Sequence, residues 1–123
     1  MNNLTIIENS STLNKILLTN HNVIVFIGSH KCHFCNDIKP EIELLQSTHS
    51  NIKIVHIDIN KYDNVKSLGV SKGVPVFVFY VNNEIKSRVD GADLDKINEN
   101  IRNIFSPNKS FYNISPNSPR IIN

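Results

Sequence analysis

Cys32 and Cys35, in the run Lys31-Cys32-His33-Phe34-Cys35, are the only two cysteines of the chain. Two thiols cannot build the multi-bridge scaffold of a small disulfide-rich fold, and a bridge closing so short a loop adds little stability. Without a recognisable secretory signal, the C-x-x-C spacing points to redox or metal chemistry instead. Exchange chemistry needs an accessible thiolate, because the anion attacks a disulfide sulfur and the thiol does not. Metal chemistry needs more: a closed zinc site takes four ligands, and Cys32, His33 and Cys35 supply at most three in one place. A metal reading would require a second chain or a distant histidine, so no metal is expected.

The flanking pattern decides where these thiols sit. Val23 to Ile27 is an unbroken β-branched and aromatic run of the kind found in strands buried on both faces. Gly28-Ser29-His30-Lys31 ends it, and Cys35, Ile38, Ile42 and Leu45 then recur at helical spacing. The C-x-x-C therefore opens a helix directly after a central strand. Pro40 falls inside that helix, where it is expected to remove one hydrogen bond and kink the helix one or two turns in. At a helix N-terminus the Cys32 sulfur meets unpaired N–H groups and the positive end of the dipole, and both favour the anion. Lys31, together with His30 and His33 when protonated, is expected to add to that field. Cys32 is thus the expected nucleophile and Cys35, one turn later on the same face, the resolving thiol.

The remaining elements are short. Leu4 to Ile7 reads as a strand, and any of Asn9 to Thr12 can cap a helix carrying Leu13, Ile16 and Leu17. Ile52 to Ile59 reads as another interior strand and Tyr62 to Leu68 as a short helix. In Val74 to Val81, Pro75 cannot donate to a sheet and marks the strand's first residue or an edge. Asn82-Asn83 makes a hairpin turn into Glu84 to Val89. Ala92 to Phe105 closes the domain with Leu94, Ile97, Ile101, Ile104 and Phe105 on one helical face. Residues 1–105 form the expected domain, and 106–123, rich in Asn, Ser and Pro, are expected to be a flexible tail. His21, His49 and His56 are expected in plain core or surface roles, and Asp58 as a turn former.

Composition narrows the function classes. With 123 residues, 40% apolar, the chain has room for one domain. Thirteen basic against eleven acidic residues give a formal charge of only +2, which excludes electrostatic nucleic-acid binding as the main business. The longest apolar runs are strand-sized, well short of the roughly 20 residues that span a bilayer. No nucleic-acid or membrane partner is expected, and a cytoplasmic location is the expectation that follows from the missing signal.

The element order, with C-x-x-C opening the second helix, resembles the thioredoxin superfamily over residues 1 to about 105. Several local matches carry the resemblance: Pro40 five positions after Cys35, Gly73-Val74-Pro75 at the start of the fourth strand, Asn82-Asn83-Glu84 at the hairpin, and Asp90-Gly91-Ala92 before the last helix. The resemblance implies an α/β thioredoxin fold, a central mixed sheet of about five strands flanked by helices. It also implies a thiol–disulfide oxidoreductase acting on protein disulfide or dithiol substrates, as a monomer, with the Cys32–Cys35 disulfide as its redox group and no other cofactor. Pro75 would be the family's cis-proline, with Val74 pairing its backbone to an extended substrate. His33, Phe34 and Lys31 would shape the site.

Departures accompany the matches. Thioredoxins usually carry W-C-G-P-C-K, where this chain has K-C-H-F-C-N. The family's buried aspartate aligns with Phe26 and its companion lysine near Ile54, which leaves no evident internal base for Cys35. Phe34 and Val74-Pro75 are also similar to glutaredoxins, so a glutathione-dependent exchanger is one alternative and a non-enzymatic binding or metal module another. Glutaredoxins typically lack Pro40 and the leading unit of residues 4 to 19, which favours the thioredoxin-like reading. A lowered Cys32 pKa would stabilise the reduced form and raise the potential above that of ordinary thioredoxins.

Overall fold

The computed structural model describes residues 4–105; the tail expected at 106–123 lies outside them. In chain order the elements are β1 (Thr5–Ile6), α1 (Ser10–Thr19), β2 (Asn22–Gly28), α2 (His33–Thr48), β3 (Lys53–Asp58), a 3-10 turn (Val65–Leu68), β4 (Val76–Val81), β5 (Glu84–Asp90) and α3 (Leu94–Phe105). They form one mixed five-stranded sheet in the order β1-β3-β2-β4-β5. β2 runs parallel to β3 and antiparallel to β4, so the strand leading into the cysteines is central.

Alternation along β2 builds two cores at once. Ile24 and Phe26 face α2 and α3 with Ile54, Phe77 and Phe79, while Val23, Val25 and Ile27 face α1 with Val55, Ile57 and Val78. Each such side chain, fully buried, contributes about 1.5–3 kcal/mol. β-branched and aromatic residues on both sides of the strand are what such a two-faced position selects. The result is a rigid floor under the N-terminus of α2.

Caps set the helix ends. The Asn9 side chain accepts from Thr12 N–H at 2.9 Å and starts α1. Asp93 accepts from Lys96 N–H at 3.1 Å, so α3 begins at Leu94 and not at Ala92 as the periodicity suggests. The helix expected over Tyr62–Leu68 shrinks to one 3-10 turn. Tyr62 N–H closes a single turn on Asp58 O at 3.1 Å, Asp63 N–H is taken by Glu8 O at 3.1 Å so that turn does not propagate, and Gly69 at φ +68° ends the 3-10 turn. Pro75 has no N–H, so β4 starts one residue later at Val76. Asn82 and Asn83 both take positive φ, 52° and 67°, in the two-residue hairpin that follows. α2 continues without a break past Pro40.

Candidate active site

The chain leaves the central sheet at Gly28 and enters α2 at His33, and Cys32 occupies the cap position between them. Cys32 Sγ accepts the Cys35 backbone N–H at 3.2 Å, the place usually taken by a Ser or Asp oxygen. The sulfur is thus bonded to the positive end of the helix. The connecting loop is tied down on itself: Cys32 N–H donates to Ser29 O at 3.0 Å, Lys31 N–H to Ser29 Oγ at 3.1 Å, and the Ser29 hydroxyl bonds the Asn60 side chain. Across from it the Val74–Pro75 peptide is cis, and Val74 O lies 3.8 Å from Cys32 Sγ. Cys32 is half-buried at this junction and Cys35 is buried; both are free thiols.

Cys35 sits directly over Gly28. A Cβ at that glycine would lie 3.1 Å from Cys35 Sγ and 3.2 Å from the Phe26 ring, tight enough that these neighbours would have to give by a few tenths of an ångström. Gly28 is therefore a seat for the second sulfur, a role invisible in a reading that treats it as the end of a strand. Burial, followed by the hydrogen bond with Cys32, pushes the Cys35 thiol up to about 12, against a backbone hydrogen bond at Ser29. Near neutral pH Cys35 therefore carries its proton.

The outer rim is different in kind. Lys31, His33 and Phe34 are exposed, Phe34 with 65% of its surface in solvent. His33 Nε2 is 3.0 Å from Asp37 Oδ2, and its ring meets Phe34 edge-on at 5.7 Å. His30 Nδ1 is 2.8 Å from Asp58 Oδ2. Each histidine thus has its own counter-charge, which weakens the expected contribution of both to the field at Cys32. The positive field there comes from the helix N-terminus, with Lys31 beside it in sequence.

Behind the cysteines the strand register revises one expectation. Ile54 pairs with Ile24, whereas the residue beside Phe26 is His56, and Asp58 pairs with Gly28. His56 and Asp58 are buried, and both face α2. His56 Nδ1 lies 3.1 Å from Phe26 O, and its ring packs on Phe26 at 4.4 Å. A carbonyl only accepts, so Nδ1 carries the hydrogen and Nε2 keeps a lone pair. Burial, partly opposed by that hydrogen bond, holds the imidazole below its ordinary 6.5, so it is neutral at pH 7. For Asp58, burial alone would raise the carboxyl, but hydrogen bonds from Asn60 N–H and His30 outweigh it and hold the group low. Asp58 is indeed a turn former, accepting Asn60 N–H at 2.9 Å on Oδ1. It also anchors His30. Parity along β3 was the available signal: residues 54, 56 and 58 share a face with 24, 26 and 28.

Among the described residues no group of three or more His, Cys, Asp or Glu side chains is placed to hold a metal ion, and no helix is long and apolar enough to cross a membrane. The family described as Thioredoxin matches residues 4–103. Thioredoxin-3 of Dictyostelium discoideum is 30% identical over 76 residues, 62% of this chain and 73% of its own length. Thioredoxin domain-containing protein 3 of Homo sapiens is 26% identical over 102 residues, 81% of this chain; the match spans only 17% of that much longer protein. Among solved structures, oxidised mitochondrial thioredoxin 3 from Saccharomyces cerevisiae superposes with a TM-score of 0.76 at 15% identity, covering 82% of this chain and 95% of the other, a likeness of fold.

Proposed function

Because the chain belongs to the thioredoxin family, we propose that it is a protein-disulfide oxidoreductase working through Cys32 and Cys35. Thiol–disulfide exchange in general goes with the family and the fold; the finer reading adds protein substrates and separate roles for the two sulfurs. The observation that carries it is the division at the start of α2: a half-exposed Cys32 sulfur bonded to the Cys35 N–H at 3.2 Å, with the Cys35 thiol buried behind it.

That geometry supports a two-step exchange. The Cys32 thiolate attacks one sulfur of a substrate disulfide, the substrate S–S bond breaks, and a mixed disulfide forms as the first substrate sulfur leaves as thiolate. Cys35, once deprotonated, attacks Cys32 Sγ; the Cys32–substrate bond breaks and the second substrate sulfur leaves with its electron pair. Two electrons have passed from the dithiol to the substrate, and a dithiol substrate reverses the sequence. Val74 borders Cys32 with its carbonyl and offers backbone pairing to an extended chain. Exposed Phe34 adds an apolar contact on the rim. In this reading the pair is its own redox group, the protein acts as a monomer in the cytoplasm, and no further cofactor takes part.

Insulin reduction by dithiothreitol tests it. The wild type accelerates precipitation and Cys32→Ser falls to the uncatalysed rate; equal acceleration by the variant eliminates the mechanism. Glutathione supplied as sole reductant separates the glutaredoxin-like alternative, which alone predicts rapid reduction of the oxidised protein.

A further inference from the structure

The second step of this exchange needs something the rim does not supply. Cys35 reacts only after losing a proton, and the residue is 2% exposed. Behind it lies a cavity of about 150 Å³ whose wall includes Cys35, Ser29, His30, His56, Asp58 and Lys39. A water in liquid takes about 30 Å³, so there is room for several. The cavity has a mixed wall, with Ile6 beside these polar groups, lies between β3 and α2, and is unused by the chemistry described so far.

Resting on that exchange reading, we propose that His56 accepts the Cys35 proton through water in this cavity as Cys35 attacks the mixed disulfide. In balance, the proton passes from Cys35 Sγ to His56 Nε2, the Cys35–Cys32 bond forms, the Cys32–substrate bond breaks, and the electron pair leaves on the substrate sulfur. The imidazolium then returns its proton to solvent or to the departing thiolate.

The other groups around His56 fit the role less well. Lys39 on α2 and Lys61 after β3 carry ammonium groups, which donate and do not accept. Asp58, on β3 itself, is held as carboxylate with Oδ1 on Asn60 N–H and Oδ2 on His30. His30, in the loop before α2, has Nδ1 engaged by Asp58 and its side chain 54% exposed. Glu43, further along α2, acts on the His56 charge from a distance and is not part of the cavity wall. Only His56 combines burial, neutrality and a ring nitrogen with a lone pair beyond its bond to Phe26 O. Among the described residues no direct hydrogen bond joins it to Cys35, which is why the transfer runs through water.

Single-turnover reaction of the reduced protein with Ellman's reagent separates the two steps, since Cys32 releases the first nitrothiobenzoate and Cys35 the second. For the wild type, the second rate is level at neutral pH and falls below a midpoint under 6.5. In His56→Gln the first rate is unchanged, while the second drops at least tenfold and climbs about tenfold per pH unit, because only pre-ionised Cys35 now reacts. A second rate with unchanged size and profile in His56→Gln overturns the proposal, as does a midpoint that moves in His30→Gln instead. Nitrogen NMR of the wild-type imidazoles is independent of whether the variant folds. His56 should show the Nδ1–H tautomer and titrate at the kinetic midpoint; the opposite tautomer or a mismatched midpoint overturns the assignment. Failure of the exchange reading looks different, because Cys32→Ser would then release the first nitrothiobenzoate like the wild type.

Discussion

Cys32 and Cys35 share one turn of one helix, yet the regions in front of and behind them are built on opposite rules. In front, Lys31, His33 and Phe34 are neighbours in sequence and exposed, with His33 in contact with Phe34 and with Asp37 a turn away. Behind, Cys35 touches Gly28 from β2 and faces a cavity lined by His56 and Asp58 from β3, with Lys39 from its own helix. The front leaves Cys32 accessible through local geometry. The back sets the state of the second thiol through burial and through groups that the sheet brings together. Changes in front should therefore act on encounter and leave the fold alone, whereas changes behind should cost stability and alter proton traffic.

The largest effect expected from this division is between the cysteines themselves. Cys32→Ser should abolish turnover and form no adduct, while Cys35→Ser should keep the first attack and accumulate a covalent mixed disulfide with substrate, read by intact mass. Equal adduct in both variants would collapse the distinction. Next comes Gly28→Ala, whose new methyl falls 3.1 Å from Cys35 Sγ. Overpacking of this kind costs about 1–3 kcal/mol, measurable as a lower denaturant midpoint; an unchanged midpoint would show that the back of the site yields freely.

A smaller effect is the pH dependence of stability. The folded-state pKa of His56 is lowered, so between that value and its ordinary 6.5 the unfolded chain binds more protons than the native one. Stability from this group is fully present above 6.5 and is lost as pH falls through the folded value. Asp58, lowered from 3.8, adds a second loss at still lower pH. One proton bounds the slope at about 1.4 kcal/mol per pH unit. Urea unfolding at pH 7 and pH 5 should show a larger drop in the wild type than in His56→Gln, and parallel drops would mean that His56 is not held neutral by its burial. The least change should come from His33→Ala. Its ion pair with Asp37 is exposed, worth at most about 0.5 kcal/mol, and an effect of that size moves the reduction potential by roughly 10 mV. A shift several times larger, followed by glutathione equilibration, would return His33 to the role of a charge acting on Cys32.

Much of this molecule is legible in the chain because its signals are local. The apolar run Val23–Ile27, the helical spacing from Cys35 to Leu45 and the Asn82-Asn83 turn each report the conformation of their own residues. Tyr62–Leu68 misleads for the complementary reason: the Asp63 N–H is claimed by Glu8 O, a partner distant in sequence that no window over the segment contains. The same holds within the site. Cys32 at the head of a helix can be read from spacing, but Gly28 as the seat of Cys35 and His56 as the neighbour of Phe26 depend on how β2 and β3 slide into register. The alternation of β3 contained the hint, since Ile54, His56 and Asp58 share a face.

By itself the sequence determined the position of the dithiol at a strand-to-helix junction, since periodicity and spacing act over a few residues, and its local motifs carried the resemblance to the thioredoxin fold. Tertiary structure alone decided the surroundings of the second cysteine. Desolvation and proton exchange depend on which atoms converge in space, and the β2–β3 register that brings His56 and Asp58 behind Cys35 is set by packing across the sheet.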